Sequence, residues 1–260
     1  MFPASSISET LEKRSERDTA RKRLKHMRPL RGLRGTPLAE VTRVLAETWR
    51  KHPPRLPADE DALHTLFCTA FEDGLVAVGL LAAVTPDAPH EALDLAERWM
   101  ELVDDTDTAE AIGWLVLGPG LLAAGEPLGA SLTGYADHER PYARRAAVLA
   151  TLAALPEPLS GPAAAALRER MGERRIRFVD APISAEIEPV IRAFLRDPDP
   201  HVRKALSRVL RSWATHDPDA VEAMLADVRG GVPRMLRDEA ERGIRKARRP
   251  SRARPAGDPG

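Results

Sequence analysis

Apolar residues along this chain recur three and four positions apart, the spacing of one helix face, and strand-like alternation is nearly absent. Residues 200–221, PHVRKALSRVLRSWATHDPDAV, show the pattern most clearly. At about 100° per residue, Val202, Ala205, Leu206, Val209 and Trp213 fall on one side. Lys204, Arg208 and Arg211 fall on the other, with Arg203 at the border. Pro200 suits a helix start, and the HDP at 216–218 marks a stop and a restart. The same reading predicts helices near 8–26, 37–51, 58–70, 72–84, 89–103, 106–118, 138–154, 160–172, 184–196, 201–214, 217–228 and 232–247.

Two of these helices share a pattern. ERPYARRAAVLATL (139–152) and DPHVRKALSRVL (199–210) each have a proline, a small or branched residue, two basic residues and an alanine. FEDGLVAVGLLAAV (71–84) fits more loosely. A turn, a basic pair and an apolar helix make a repeat unit that buries its face on its neighbours. The expected fold is therefore all-α: a HEAT-like-repeat solenoid, an α-α superhelix with a concave basic face. One domain is expected over 1–247, with a basic, disordered Pro/Arg-rich tail over 248–260.

Charge refines this picture. The formal net charge is zero, but residues 1–55 hold 14 Lys/Arg and 6 Asp/Glu, whereas residues 56–140 hold 2 and 17. Residues 201–260 hold 14 and 8. Basic ends favour an anionic partner there, and the acidic middle disfavours one. A row of Lys and Arg on a helix is what a phosphate backbone selects, and it is also what a solvated helix face looks like. The single cysteine, Cys68, excludes an internal disulfide and reads as a small buried hydrophobe. The seven histidines form no HxxxH or HExxH pair, so no metal is expected. No apolar run reaches the roughly 18 residues of a membrane span, and residues 1–26 lack the apolar core of a signal peptide. A cytoplasmic monomer without cofactor is the expectation.

Four segments, in order, resemble the AlkD-like DNA alkylation repair family of HEAT-like-repeat DNA glycosylases: HMRPLRGLRGTPLAEVTRVL (26–45), VDDTDTAEAIG (103–113), ERPYARRAAVL (139–149) and DPHVRKALSRVLRSWATHDPDAV (199–221). The resemblance implies a protein that binds double-stranded DNA and removes cationic alkylated purines. In that family an Asp carboxylate favours the developing sugar cation, two tryptophans add cation–π contacts, arginines hold the backbone, and the lesion stays stacked. By resemblance, Glu110 stands at the carboxylate position, Thr106 and Arg208 at the two tryptophan positions, and Arg145 and Arg211 at the arginine positions. The backbone-holding groups are thus kept and the aromatic cradle is not, so weak or altered excision is expected.

On an ideal helix Asp107, Glu110 and Trp114 lie together, which offers a second carboxylate and a replacement aromatic face. The candidate catalytic residues are therefore Glu110 and Asp107. The candidate DNA contacts are Arg144, Arg145, Lys204, Arg208, Arg211 and Trp114. The alternative is a catalytically inactive HEAT-repeat scaffold whose basic stripe binds an acidic protein or a DNA structure. The two readings part on whether the acidic segment shares a face with Arg145 and Arg211.

Overall fold

The computed structural model describes residues 2–27, 29–156, 158–171, 183–228 and 231–249, which form helices joined by turns and loops, with no strand among them. The chain opens with α1 (Ala4–Lys13), α2 (Arg17–Arg23), α3 (Leu38–Lys51), α4 (Glu60–Thr69), α5 (Phe71–Val84) and α6 (Pro89–Met100). α7 (Thr106–Ala111) passes through a π-helical turn, Ile112–Leu117, into α8 (Gly118–Ala123). α9 (Leu128–Thr133), α10 (Pro141–Ala150), α11 (Ala165–Met171), α12 (Ile183–Phe194), α13 (Pro200–His216), α14 (Pro218–Asp227) and α15 (Arg234–Ala247) follow.

Neighbours in the chain are neighbours in space. α3 packs on α5, α5 on the π turn, the π turn on α10, α10 on α13, and α13 on α15. A single hydrophobic cluster runs through these helices from Phe2 to Ile244. α5 is buried along its whole length, which accounts for the apolar run in its sequence. Its first turn carries Glu72 and Asp73 into the interior, and buried carboxylates must be paired. Glu72 takes Arg23 at 2.5 Å and the backbone amides of Arg34, Gly35 and Thr36 at 2.8–3.1 Å. Asp73 takes Arg34 Nε at 2.6 Å and the Ser8 hydroxyl.

The expected helix over 8–26 is two helices. α2 has no buried residue, so nothing apolar holds it in line with α1, and Glu16 turns extended to give its amide to the Gly35 carbonyl. α9 lies outside the expected helices; it is short, held by buried Leu128 and Leu132 and by Glu186, which accepts the Leu128 amide at 2.8 Å. The helix expected over 106–118 continues to Ala123 because the π turn absorbs Pro119, which has no amide hydrogen to donate. Cys68 is exposed, not buried: α4 turns it away from the core, and its sulfur lies 3.7 Å from His64 Nε2. The expected tail lies outside the described residues from 250 onward. No described helix is long and apolar enough to cross a membrane.

Two glycines set the helix spacing that the site depends on. A Cβ at Gly113, in the π turn, would run into the carbonyl oxygen of Ala146 on α10. A Cβ at Gly243, on α15, would run into Arg211 O on α13. Both obstacles are backbone, so the helices themselves would have to separate. Gly113→Ala is expected to cost about 1–3 kcal/mol as overpacking. For a chain of this size that lowers the thermal midpoint by roughly 2–4 °C per kcal/mol. Gly134→Ala, where nothing lies within 4 Å of the added carbon, should leave the midpoint in place. Thermal melts followed by circular dichroism check both.

Candidate functional site

The site begins with what aims α7. Asp105 caps this helix: its side chain accepts the Thr108 amide at 2.7 Å. The same carboxylate takes Arg31 Nη2 at 2.9 Å. Arg31 also donates to the Phe67 carbonyl at 3.0 Å, and its guanidinium lies 4.4 Å from the centre of the Phe67 ring. The loop before α3 is thereby tied to α4 and α7 together. Burial pushes the Asp105 carboxyl up, against the pull of the Thr108 amide and Arg31.

One and two turns further on lie Glu110 and Trp114. Glu110 is shared between two guanidinium groups. Arg145 of α10 approaches one oxygen at 3.5 Å, and Arg208 of α13 donates to the other. The Arg208 guanidinium also lies 5.0 Å from the centre of the Trp114 indole, which is only 3 % exposed. Arg145 is the fixed member of the pair. Its side chain is 10 % exposed and donates to the His201 carbonyl at 2.8 Å. Burial pulls it below the usual arginine value, and Glu110 works the other way. Arg208 is less buried, at 30 % exposed. Asp107 lies at the exposed edge of the cluster. Partial removal from water and the charge of Glu110 raise its carboxyl above the ordinary aspartate value, while Arg145 and Arg23 offset part of the rise.

Asp107, Glu110 and Trp114 line a small cavity of about 100 Å³ with Leu75, Ser160 and Pro162. Arg208 also belongs to the wall of a larger cavity, about 530 Å³, formed with Arg211, Thr215, Arg242 and Lys246. Gly243 makes this second cavity: it lets α15 lie on α13, which sets Arg242 and Lys246 beside Arg211. Arg211 and Arg242 share Glu239, at 3.4 Å from Arg211. Lys204 is exposed one turn before Arg208. Arg144 points elsewhere: it makes a two-pronged pair with Asp197, at 2.7 and 3.3 Å, that joins α10 to the residues following α12.

The family model described as "DNA alkylation repair enzyme" matches residues 7–244. The chain belongs to this family. A comparison with individual curated proteins gave no match. Set against the family, the expected site residues separate into two groups. The structure brings Asp107, Glu110, Trp114, Arg145 and Arg208 into one cluster and leaves Arg211, in the wall of the larger cavity, with Arg144 and Lys204 outside it. Arg242 and Lys246 are not among the residues the sequence singles out. Their i,i+4 spacing on a basic helix is a visible signal, but only the packing of α15 on α13 shows that they face Arg211. No group of three or more metal-ligating side chains occurs among the described residues.

The raised Asp107 carboxyl has a consequence for stability. A carboxyl held above its unfolded value favours the folded state when protonated. Its contribution is therefore full in acid and disappears as pH rises through the folded value. Asp107→Asn copies the protonated form, so it should melt higher than the parent at pH 7. The difference should close as pH falls toward about 4, near the unfolded aspartate value. Thermal midpoints measured across this pH range check it.

Proposed function

We propose that this chain binds double-stranded DNA through the basic cavity between α13 and α15 and slowly removes cationic alkylated purines at the Glu110–Trp114 cluster. The observation that carries this reading is the place of Arg208 between the two cavities. Arg208 stands in the wall of the larger one and on the carboxylate and indole of the smaller one. Arg208, Arg211, Arg242 and Lys246 are suited to phosphate oxygens, which need cationic donors in a row and carry no sequence information. Lys204 extends the row along α13. Arg145 and Arg144 act from behind, the first by aiming Glu110 and the second by holding α10. In this reading the stacked helices form the curved HEAT-like solenoid, with these cations on its concave face.

The chemistry asked of Glu110 is electrostatic. When the C1′–N9 bond of a cationic purine breaks, both electrons leave with the base, which departs neutral. Positive charge then collects on the sugar, and a nearby carboxylate stabilises it. Water supplies oxygen to C1′, and the proton it sheds goes to a carboxylate or to solvent. Asp107, with its raised carboxyl, is the second group placed to take that proton. Part of Glu110's field is already spent on Arg145 and Arg208, and this argues for slow release.

A binder without excision is the second reading, favoured by the same two guanidinium groups on Glu110. Part of the acidic segment is turned inward, since Glu72, Asp73 and Asp105 are buried against Arg23, Arg34 and Arg31, and this lessens the weight of the segment against DNA. Arg211→Ala with Lys246→Ala should weaken binding to all duplex sequences alike. The slope of log affinity against log salt should then shrink by about 0.9 for each phosphate that the variant no longer neutralises. An unchanged slope over several salt concentrations would make the row a solvated face. Glu110→Gln should abolish release of a cationic alkylpurine above the spontaneous rate while the duplex is still bound. Equal release by this variant would pass the role to Asp107.

A further inference from the structure

A carboxylate beside an indole face is a receptor for a flat, delocalised cation. In this chain the receptor is already occupied by the chain's own flat cation, the Arg208 guanidinium, which donates to Glu110 and lies 5.0 Å from the centre of the Trp114 ring. The space left beside them, about 100 Å³, is below the roughly 300–1,000 Å³ of ligand sites. The lesion's sugar, on which positive charge collects as the base departs, and Arg208 therefore compete for one seat.

The two arginines on Glu110 differ in what holds them. Arg145 is fastened to the His201 carbonyl at 2.8 Å and is nearly enclosed. Arg208 is three times more exposed and shares the wall of the large cavity with the cations Arg211, Arg242 and Lys246. Four positive side chains stand around this cavity with Glu239, shared by Arg211 and Arg242, as a partial counter-charge, and a phosphate placed among them attracts all four. Arg208 thus has two partners of like chemistry to choose between, the Glu110 carboxylate and a backbone phosphate, reachable from the same helix position.

We infer that Arg208 is a specificity-determining gate: it fills the cation seat on Glu110 and Trp114 in the free protein, and exchanges Glu110 for a DNA phosphate when duplex is bound. The exchange conserves charge at Glu110, since one cation leaves as positive charge collects on the lesion's sugar and Arg145 stays. It makes the seat available only on DNA, and it favours a lesion whose base is already cationic, because such a base departs neutral and leaves on the sugar the positive charge that replaces what Arg208 withdraws. This inference rests on the excision reading proposed above.

The test is single-turnover release from a duplex oligonucleotide carrying one N7-methylguanine, with binding to the same duplex measured in parallel. Arg208→Gln should release the base about tenfold faster than the parent, the worth of roughly 1.4 kcal/mol. It should also bind the duplex more weakly, with a salt slope shallower by about 0.9. A merely structural defect would not move the two readouts in opposite directions. Arg208→Lys keeps the charge but not the flat stacking group, so its release should fall between the two, and it carries the test if Arg208→Gln does not fold. Adding Glu110→Gln to Arg208→Gln should remove the gain. Release by Arg208→Gln or Arg208→Lys no faster than by a parent that exceeds spontaneous loss would overturn the gate and leave the excision reading standing. No release by parent or variants from a duplex they all bind would overturn both.

Discussion

The Glu110 carboxylate, held between a locked arginine and a looser one, is the interaction on which the other features of the site depend. It joins α7, α10 and α13, helices far apart in sequence, at one point. Its position is set by backbone fit. Gly113 lets the π turn lie against the Ala146 carbonyl, next in sequence to Arg145. Asp105 caps α7 and, through Arg31, ties its start to α4. An error in any of these spacings would separate the carboxylate from its partners. A guanidinium left buried without its anion is costly, so the cluster also holds the middle of the fold together.

The distribution of charge along the chain makes sense on the same terms. The basic N-terminal stretch and the acidic middle look in sequence like opposed surfaces. In the fold several of them are partners: Arg23 meets Glu72, Arg34 meets Asp73, and Arg31 meets Asp105. These pairs close the first helices onto α5 and α7 and neutralise part of the acidic segment's charge. The basic residues of α13 and α15 are differently placed. Arg211 and Arg242 share Glu239, Arg208 is held by Glu110, and Lys246 and Lys204 remain exposed.

Much of the helical layout was legible because burial is written in the apolar spacing; the ends of α3, α5, α12 and α13 follow it closely. Elements without that writing were not. α2 buries nothing, so its break from α1 leaves no apolar mark. α9 is too short for a period to show. At the site, Glu110 and Trp114 could be paired from helix geometry alone, being one turn apart. That Trp114 is covered by Arg208, nearly a hundred residues on, could not. Nor does the Arg144-Arg145 doublet reveal which member is buried against Glu110 and which is paired to Asp197. Cys68 reads as core by composition, and only the rotation of α4 about its axis exposes it.

The pairing of Arg208 with Glu110 describes the protein without DNA, and the central claim is that duplex changes it while Arg145 holds. A crystal structure of the parent chain on a duplex containing a cationic alkylated purine tests this most directly. The account predicts a phosphate among Arg208, Arg211 and Lys246, with Glu110 still on Arg145 and the Trp114 face free of Arg208. An Arg208 guanidinium still seated on Glu110 and Trp114, with the DNA backbone bound elsewhere, would contradict it.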